Sequence, residues 1–222
     1  MIFFRKEPNL DNMAAPDNAS ILNMTGTWCL NPIESDDLGP TFMLVIKFYH
    51  NQTSFSTNIH QKQGIPWIIR KVISFATLEL KMVQNPPAPP ERPTTVIDIN
   101  QTVRPGGFDT ANSYILDGET RHDKVPIFGA MSMRAQYVTM EGVGQDELMG
   151  HEIEQPDVAD GRVGIKEMTE GVNTGWKTTA VWVFEKGDGE TGGRRFCKYC
   201  TTTKGEQRVQ ARLVYDYRVT PA

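Results

Sequence analysis

The stretch NMTGTWCLN, Asn23 to Asn31, marks the point where a polar N-terminal segment gives way to a β-prone chain. Gly26 and Trp28 stand two positions apart within it. Upstream, residues 1–22 carry prolines, several Asn and Asp, and no hydrophobic periodicity, which is typical of a mobile terminus. We therefore predict a flexible tail over residues 1–22 and one folded domain over residues 23–222.

Length and composition favour one globular domain. The chain has 222 residues, of which 39% are hydrophobic and 23% charged, within the globular range. A formal net charge of -4 argues against nucleic acid as a partner, because phosphate binding needs a basic surface. MIFFRKEPN reaches Arg5 too soon for a secretory signal, and no run approaches the ~18 apolar residues of a membrane span. We expect a cytoplasmic protein without a membrane partner.

Three cysteines, Cys29, Cys197 and Cys200, cannot all pair within the chain, so we predict free thiols. Cys197 and Cys200 form a C-x-x-C inside a strand-like segment, where positions three apart point to opposite faces. The sequence offers no second pair to complete four zinc ligands and no nucleotide-binding motif. We therefore expect neither a metal nor a cofactor.

Alternating or β-rich segments make up most of the remaining chain. Gly residues between them favour hairpins, and five prolines in residues 84–95 favour a stiff loop. The predicted strands are 27–30, 42–49, 78–83, 94–103, 112–119, 126–140, 175–187, 194–205 and 207–219.

One helix is expected over IPWIIRKVISFATLE, Ile65 to Glu79, since Pro66 suits a first turn and an apolar stripe follows. A shorter helix or turn is expected over residues 141–155. Eight or more antiparallel strands either stack as a sandwich or close on themselves, and closure removes exposed edges. We predict a mainly β fold, an antiparallel barrel of about eight to ten strands with one covering helix, wide enough for one small ligand.

The motif formed by Gly26 and Trp28 resembles the G-x-W element of lipocalins. The resemblance implies that Trp28 closes one end of a lipocalin-like barrel and packs beneath an arginine of the last strand, here Arg212. Trp28 then has a structural task, and the function is expected at the other end.

A longer resemblance, over residues 23–217, is to a fungal lipocalin-like family that includes hetero-Diels–Alderases of tropolone-sesquiterpenoid biosynthesis. It implies a pericyclase that joins a tropolone o-quinone methide to a humulene-type alkene. The chain departs from the family pattern over residues 38–61, which read as a lid insertion or a retained intron. The motifs that carry the likeness are G-x-W, GIPWIIRKVISFATLEL, IDINQT, PGGF, IFG, WVFE and RLVYDY.

A pericyclic reaction needs no nucleophile or metal, because holding two reactants in a reactive pose contributes on the order of 7 to 11 kcal/mol at most. One or two buried hydrogen-bond donors would activate a quinone methide carbonyl. Gln101 is the first candidate, since it follows Ile97 and Ile99 at period two. Tyr114 offers a phenol, and Arg134 a cation if Ala130, Ser132 and Arg134 face the cavity.

Other residues are candidates for lining the pocket, although packing in the core is the favoured explanation for Trp176 and Trp182 and the alternative for the helix residues. The alternatives to a pericyclase are a noncatalytic carrier of an apolar metabolite and a dehydratase or isomerase with a buried His or Asp base. The expected partners are small apolar molecules, and a homodimer is possible. The lining candidates are Trp67, Ile68, Phe75, Ile97, Ile99, Met131, Met133, Trp176, Trp182 and Tyr199.

Overall fold

The computed structural model describes residues 12–37, 40, 77–104, 108–125, 129–154, 159–186 and 193–219. Within these ranges the chain forms eleven strands and one 3₁₀ turn, Met140–Gly142. The strands are β1 Asn12–Met13, β2 Gly26–Leu30, β3 Thr77–Asn85, β4 Val96–Arg104, β5 Phe108–Ile115, β6 Arg121–Val125, β7 Gly129–Thr139, β8 Arg162–Gly171, β9 Trp176–Glu185, β10 Arg195–Lys204 and β11 Gln207–Arg218.

The strands form one antiparallel sheet that curls on itself. Its order is β5-β4-β3-β2-β11-β10-β9-β8-β7-β6, with β1 beside β11. The edge strands β5 and β6 are not laddered together, but the turn after β5 reaches β7, where the Gly118 N–H donates to the Ala135 carbonyl at 2.9 Å. The fold is therefore mainly β and antiparallel, as predicted, but the sheet is a half-barrel that keeps two edges instead of the closed ladder that we expected.

Most predicted strands are confirmed, and three were missed: β1, which lies in the predicted tail, β6 and β8. β6 runs through residues predicted as a polar loop, because its exposed His122, Asp123 and Lys124 give no alternation. β8 was missed because its inner face carries the polar Glu167 and Thr169 and its outer face carries Gly164, so its apolar alternation is broken. The predicted strand over residues 42–49 lies outside the described residues. The expected helix or turn over residues 141–155 is a 3₁₀ turn followed by further turns up to Gly150.

The covering helix is not seen in the described part of the chain. Residues 65–76 of its predicted span lie outside that part, and its last three residues, Thr77 to Glu79, open β3. These three residues form a strand because Leu78, Leu80 and Met82 share one face of β3 and point into the barrel. Here the apolar residues follow the two-residue repeat of a strand and not the 3.6-residue repeat of a helix. No helix among the described residues is long and apolar enough to cross a membrane.

The N-terminal residues 12–22, which the sequence assigned to a flexible tail, contribute to the core. Ala15, Ala19 and Ile21 are buried. Gln84 at the end of β3 ties this segment to the opposite wall, because its amide nitrogen donates to the Ile21 carbonyl at 3.1 Å and to the Tyr137 hydroxyl at 2.9 Å. The segment thus seals one end of the barrel.

Trp28 is fully buried at this sealed end, as the lipocalin resemblance implied. Its indole N–H donates to the Met24 carbonyl at 2.9 Å, and its ring meets Phe196 and Tyr217 edge-on. Gly26 has a φ of +146°, and a Cβ there would lie 2.4 Å from the Tyr217 ring. The glycine is required because an aromatic ring occupies the place of its side chain.

Arg212 does not cover Trp28, which corrects the expectation from the motif. Successive residues of β11 alternate between faces, and Tyr215 and Tyr217 belong to the inner core, whereas Arg212 lies on the outer face. There it pairs with Glu185, with Nη2 2.5 Å from Oε2. Trp28 is instead enclosed by aromatic rings.

Both faces of the sheet carry buried clusters. The inner cluster fills the sealed end around Trp28, Trp182 and Phe196. The outer cluster includes Val181, Tyr199 and Val214 and is covered by the turns that follow β7, through Val143, Leu148 and Ile153. Strands β9 to β11 are therefore apolar on both sides along part of their length.

Candidate functional site

A group of polar side chains lies on the inner face, directly beyond the aromatic core. Glu167 of β8 is at its centre. Its Oε2 accepts from the Trp182 indole N–H at 3.0 Å, and its Oε1 accepts from the hydroxyls of Tyr114 and Thr169, each at 3.4 Å. The Glu167 cluster, as it is called below, consists of Glu167, Trp182, Tyr114, Thr169 and Lys198. A carboxylate here is held by donors from three neighbouring side chains.

Lys198 of β10 completes the Glu167 cluster. Its Nζ lies 3.6 Å from the centroid of the Trp182 ring, a cation–π contact with the face of the indole whose edge binds Glu167. Burial lowers the pKa of Lys198, and the negative charge of Glu167 acts in the opposite direction. One ring thus positions both an ammonium and a carboxylate inside the barrel.

Three further ionisable side chains in this region, Tyr114, Cys200 and Tyr215, are neutral at physiological pH. Burial raises the pKa of the Cys200 thiol to about 12. Burial and the charge of Glu167 hold the pKa of Tyr114 well above its ordinary value, and burial does the same for Tyr215. Tyr114 is therefore a hydrogen-bond donor in its phenol form, and Cys200 is a poor nucleophile because it is not a thiolate.

Some of the predicted site residues lie on the inner face, as expected from the alternation of their strands. Ile97 and Ile99 are buried in the inner core, and Gln101, which follows them on the same face of β4, is half-buried. Tyr114 packs edge-on against Trp182 at 5.0 Å between ring centroids. These are the residues for which a clean period of two was readable.

Several predicted lining residues share the inner face without touching the cluster's centre. Met131 and Met133 are half-buried and alternate in step with Ala135 and Tyr137 of the inner core. Trp176 is buried and lies in step with Trp182 on β9. Whether any of them contacts a ligand stays a prediction.

Two candidates point the other way. Arg134 is exposed on the outer face of β7, where its guanidinium contacts the Met168 sulfur at 3.0 Å, because Met133 and Ala135 take the inner positions. Tyr199 belongs to the outer cluster, where its hydroxyl donates to Glu185. The register assumed for β7 and β10 is thereby corrected. Trp67, Ile68 and Phe75 lie outside the described residues.

Glu167 and Lys198 were not among the predicted site residues. On β10 the inner residues Phe196, Lys198 and Cys200 alternate with the outer Cys197 and Tyr199, so both faces contain apolar side chains. The opposite faces of the two cysteines confirm the prediction made for the C-x-x-C pair. In such a strand, a charged residue is expected to face solvent, and only the pairing register of the strand shows that its side chain points inward.

A second buried polar group lies on the outer face and is structural in character. Glu185 accepts from Arg212 and Tyr199. Burial alone would raise the pKa of Glu185, but the hydrogen bonds from Arg212 and Tyr199 outweigh it, so that its pKa is lowered. Because every member of this trio has a partner, it leaves no group for a ligand.

Among the described residues, no three His, Cys, Asp or Glu side chains gather where a metal ion could be held. A crevice lined by Ser20, Ile21, Glu154, Val163, Phe184 and Arg194 includes none of the residues of the Glu167 cluster. The interior cluster is therefore the strongest candidate for a functional site in the part of the chain that can be described.

Comparisons with known proteins give one structural likeness. No protein-family model and no curated protein matches the sequence significantly. As-p18, an extracellular fatty acid binding protein, is similar in structure over 87% of this chain and 95% of its own, with 14% identity and a TM-score of 0.42. At that level of similarity, the function has to be argued from the residues of this chain.

Proposed function

We propose that the half-barrel binds one small, mainly apolar molecule and that the Glu167 cluster holds a polar group of that molecule. The observation that carries the proposal is the placement of Lys198 and Glu167 on one indole ring inside an apolar wall. Ligand pockets are built in this way, with apolar linings and a few placed polar groups.

The energetic cost of the cluster supports a role in binding. Charges are expensive to bury unless they are paired, and the pKa of Lys198 is lowered because burial disfavours its charged form. In an interior that served only for packing, an aliphatic residue at this position would be less costly. Perturbed ionisable groups inside concave apolar surfaces are frequent at functional sites.

The charge pattern indicates the kind of ligand. The hydrogen-bond donors of Trp182, Tyr114 and Thr169 are already engaged by the Glu167 carboxylate, whereas the Lys198 nitrogen contacts an aromatic face and keeps its N–H donors for a ligand. An incoming polar group therefore meets the donors of Lys198 more readily than a free acceptor. A carbonyl, carboxylate or enolic oxygen on an otherwise apolar body suits this arrangement.

Fluorescence titration with an apolar probe that carries a carboxylate, such as a dansylated fatty acid, tests the proposal. We expect saturable binding with one probe per chain and quenching of tryptophan emission, since Trp182 is at the site. Lys198→Met should weaken binding about tenfold, which corresponds to about 1.4 kcal/mol. The matched control, Lys81→Met on an exposed position of β3, should leave it unchanged. Non-saturable binding, or equal effects of both variants, would refute the proposal.

A cofactor-independent hetero-Diels–Alder reaction inside the barrel is the second candidate function. It is supported by the resemblance described above and by Lys198, a donor inside the barrel that could polarise a quinone methide carbonyl. Gln101 is a further donor on the same face. A cytoplasmic location fits such a role and stays a prediction.

The test of this second function is product analysis. The protein is incubated with a precursor of a tropolone o-quinone methide and a humulene-type alcohol. We expect faster adduct formation and a stereochemical ratio that differs from the spontaneous one. A ratio and rate identical to those without protein would exclude catalysis while leaving the binding proposal intact.

A further inference from the structure

Lys198 differs from the lysines that form ion pairs in the described part of the chain. Lys166, Lys177 and Lys81 each lie within 4.0 Å of a carboxylate, at 2.8, 3.0 and 3.9 Å. Lys198 has an aromatic face instead of a carboxylate as its direct neighbour. Its nitrogen is therefore not committed to an ion pair among the described residues.

Burial, a fixed direction and neighbouring polar groups suit Lys198 to act as a reactant. The group is inside the barrel, so the charged form is disfavoured. The Trp182 ring fixes the direction of the side chain at 3.6 Å. Glu167 is held at the edge of the same ring by Trp182 and Tyr114, and its charge acts on Lys198, so a proton acceptor lies within electrostatic reach of the amine.

We propose that Lys198 forms a reversible imine with an apolar aldehyde or ketone bound in the barrel. This inference rests on the proposed binding function and adds a class of ligand to it, carbonyl compounds with an apolar body. The apolar wall selects the body of the molecule, and the lysine captures its carbonyl carbon.

The chemistry needs no further reactant. The Nζ lone pair attacks the carbonyl carbon, a C–N bond forms while the C=O π electrons move to oxygen, and one proton passes from nitrogen to that oxygen to give a carbinolamine. Protonation of the hydroxyl then lets the nitrogen lone pair break the C–O bond, so that water leaves and a protonated C=N bond forms. Loss of the second nitrogen proton gives the neutral imine, and the amine and the carbonyl have condensed with release of one water. Glu167, whose charge acts on Lys198, is the group that we assign to carry these protons.

Lys198 is also positioned so that the imine would be protected. Hydrolysis reverses the reaction, and a site lined by Tyr114, Trp182 and Cys200 limits the access of water. A protonated imine would keep the contact with the indole face and the electrostatic attraction to Glu167. The product is thus stabilised by the same residues that hold the free lysine.

Borohydride trapping with the full-length protein tests the inference. The protein is incubated with limiting decanal, reduced, and analysed by intact mass and peptide mapping. We expect one secondary amine adduct per chain, located on Lys198, with several-fold more adduct there than on exposed Lys81 or Lys177. Lys198→Arg, which keeps the positive charge, should abolish this adduct, and Lys177→Arg should not.

Decanol separates failure of the imine from failure of binding. If decanol displaces the dansylated probe but decanal yields no preferential adduct on Lys198, the imine inference is overturned and the binding function stands. If neither compound displaces the probe and labelling follows the exposure of the lysines, both are overturned. Glu167→Gln should slow trapping while probe displacement by decanol persists, and an unchanged trapping rate would remove Glu167 from the mechanism.

Discussion

Lys198 lies over the face of Trp182, with the ammonium 3.6 Å from the ring centroid, while the indole N–H of the same residue binds Glu167 at 3.0 Å. This relationship places two ionisable side chains from strands on either side of β9 at one point of the interior. The sealed end below it is filled by aromatic rings. The polar group thus begins where the packed core ends.

Lys198→Met should separate stability from binding. Because the folded state lowers the pKa of Lys198 below its unfolded value, the charged lysine costs stability at neutral pH, and this cost fades as the pH rises. The variant should therefore be at least as stable as the native protein in urea unfolding at pH 7, yet bind the probe more weakly. A clear loss of stability would mean that Lys198 is needed for the fold.

Gly26→Ala should destabilise the sealed end. The backbone there has a positive φ, and the new Cβ would lie 2.4 Å from the Tyr217 ring, so strain of about 1–3 kcal/mol adds to a steric clash. Gly175→Ala is the matched control, because its φ is also positive but no atom lies within 4 Å of its added Cβ. Urea midpoints should fall further for Gly26→Ala, and equal shifts would contradict the close approach of Tyr217.

Trp28→Ala should reduce the free energy of unfolding by about 3–5 kcal/mol, because a fully buried indole is replaced by a cavity. Probe affinity in the folded fraction should change little, since Trp28 lies in the sealed end. Binding and unfolding are measured on the same preparation. A variant that folds normally but no longer binds would place the ligand at this end instead.

Glu185→Gln should change the response to acid. The folded state lowers the pKa of Glu185, so its carboxylate contributes stability above its unfolded pKa, and that contribution is lost as the pH falls through the lower folded value. The variant should lose stability at pH 7, by up to about 3–5 kcal/mol for a broken buried pair. The difference from the native protein should shrink between pH 5 and pH 2 (about the range of carboxylate titration). A difference that is independent of pH would contradict the ion pair.

The sequence predicted the fold class better than the site, for a physical reason that individual strands illustrate. On β4, apolar Ile97 and Ile99 alternate with polar residues, so the inward direction of Gln101 was readable. On β10, Cys197 and Tyr199 pack beneath the turns after β7, so the outer face is apolar as well and the alternation disappears. The inward direction of Lys198 depends on this tertiary cover and could not be read locally.

The position of the ligand tests the central claim most directly. An apolar carboxylate probe that carries a diazirine is bound at one equivalent, photolysed, and its attachment sites are mapped by mass spectrometry. The account predicts labels on inner-face residues around the Glu167 cluster, such as Tyr114, Met133 and Cys200, and their loss when decanoic acid competes. Labels confined to outer-face residues such as Arg134, or labels that decanoic acid leaves unchanged, would contradict it.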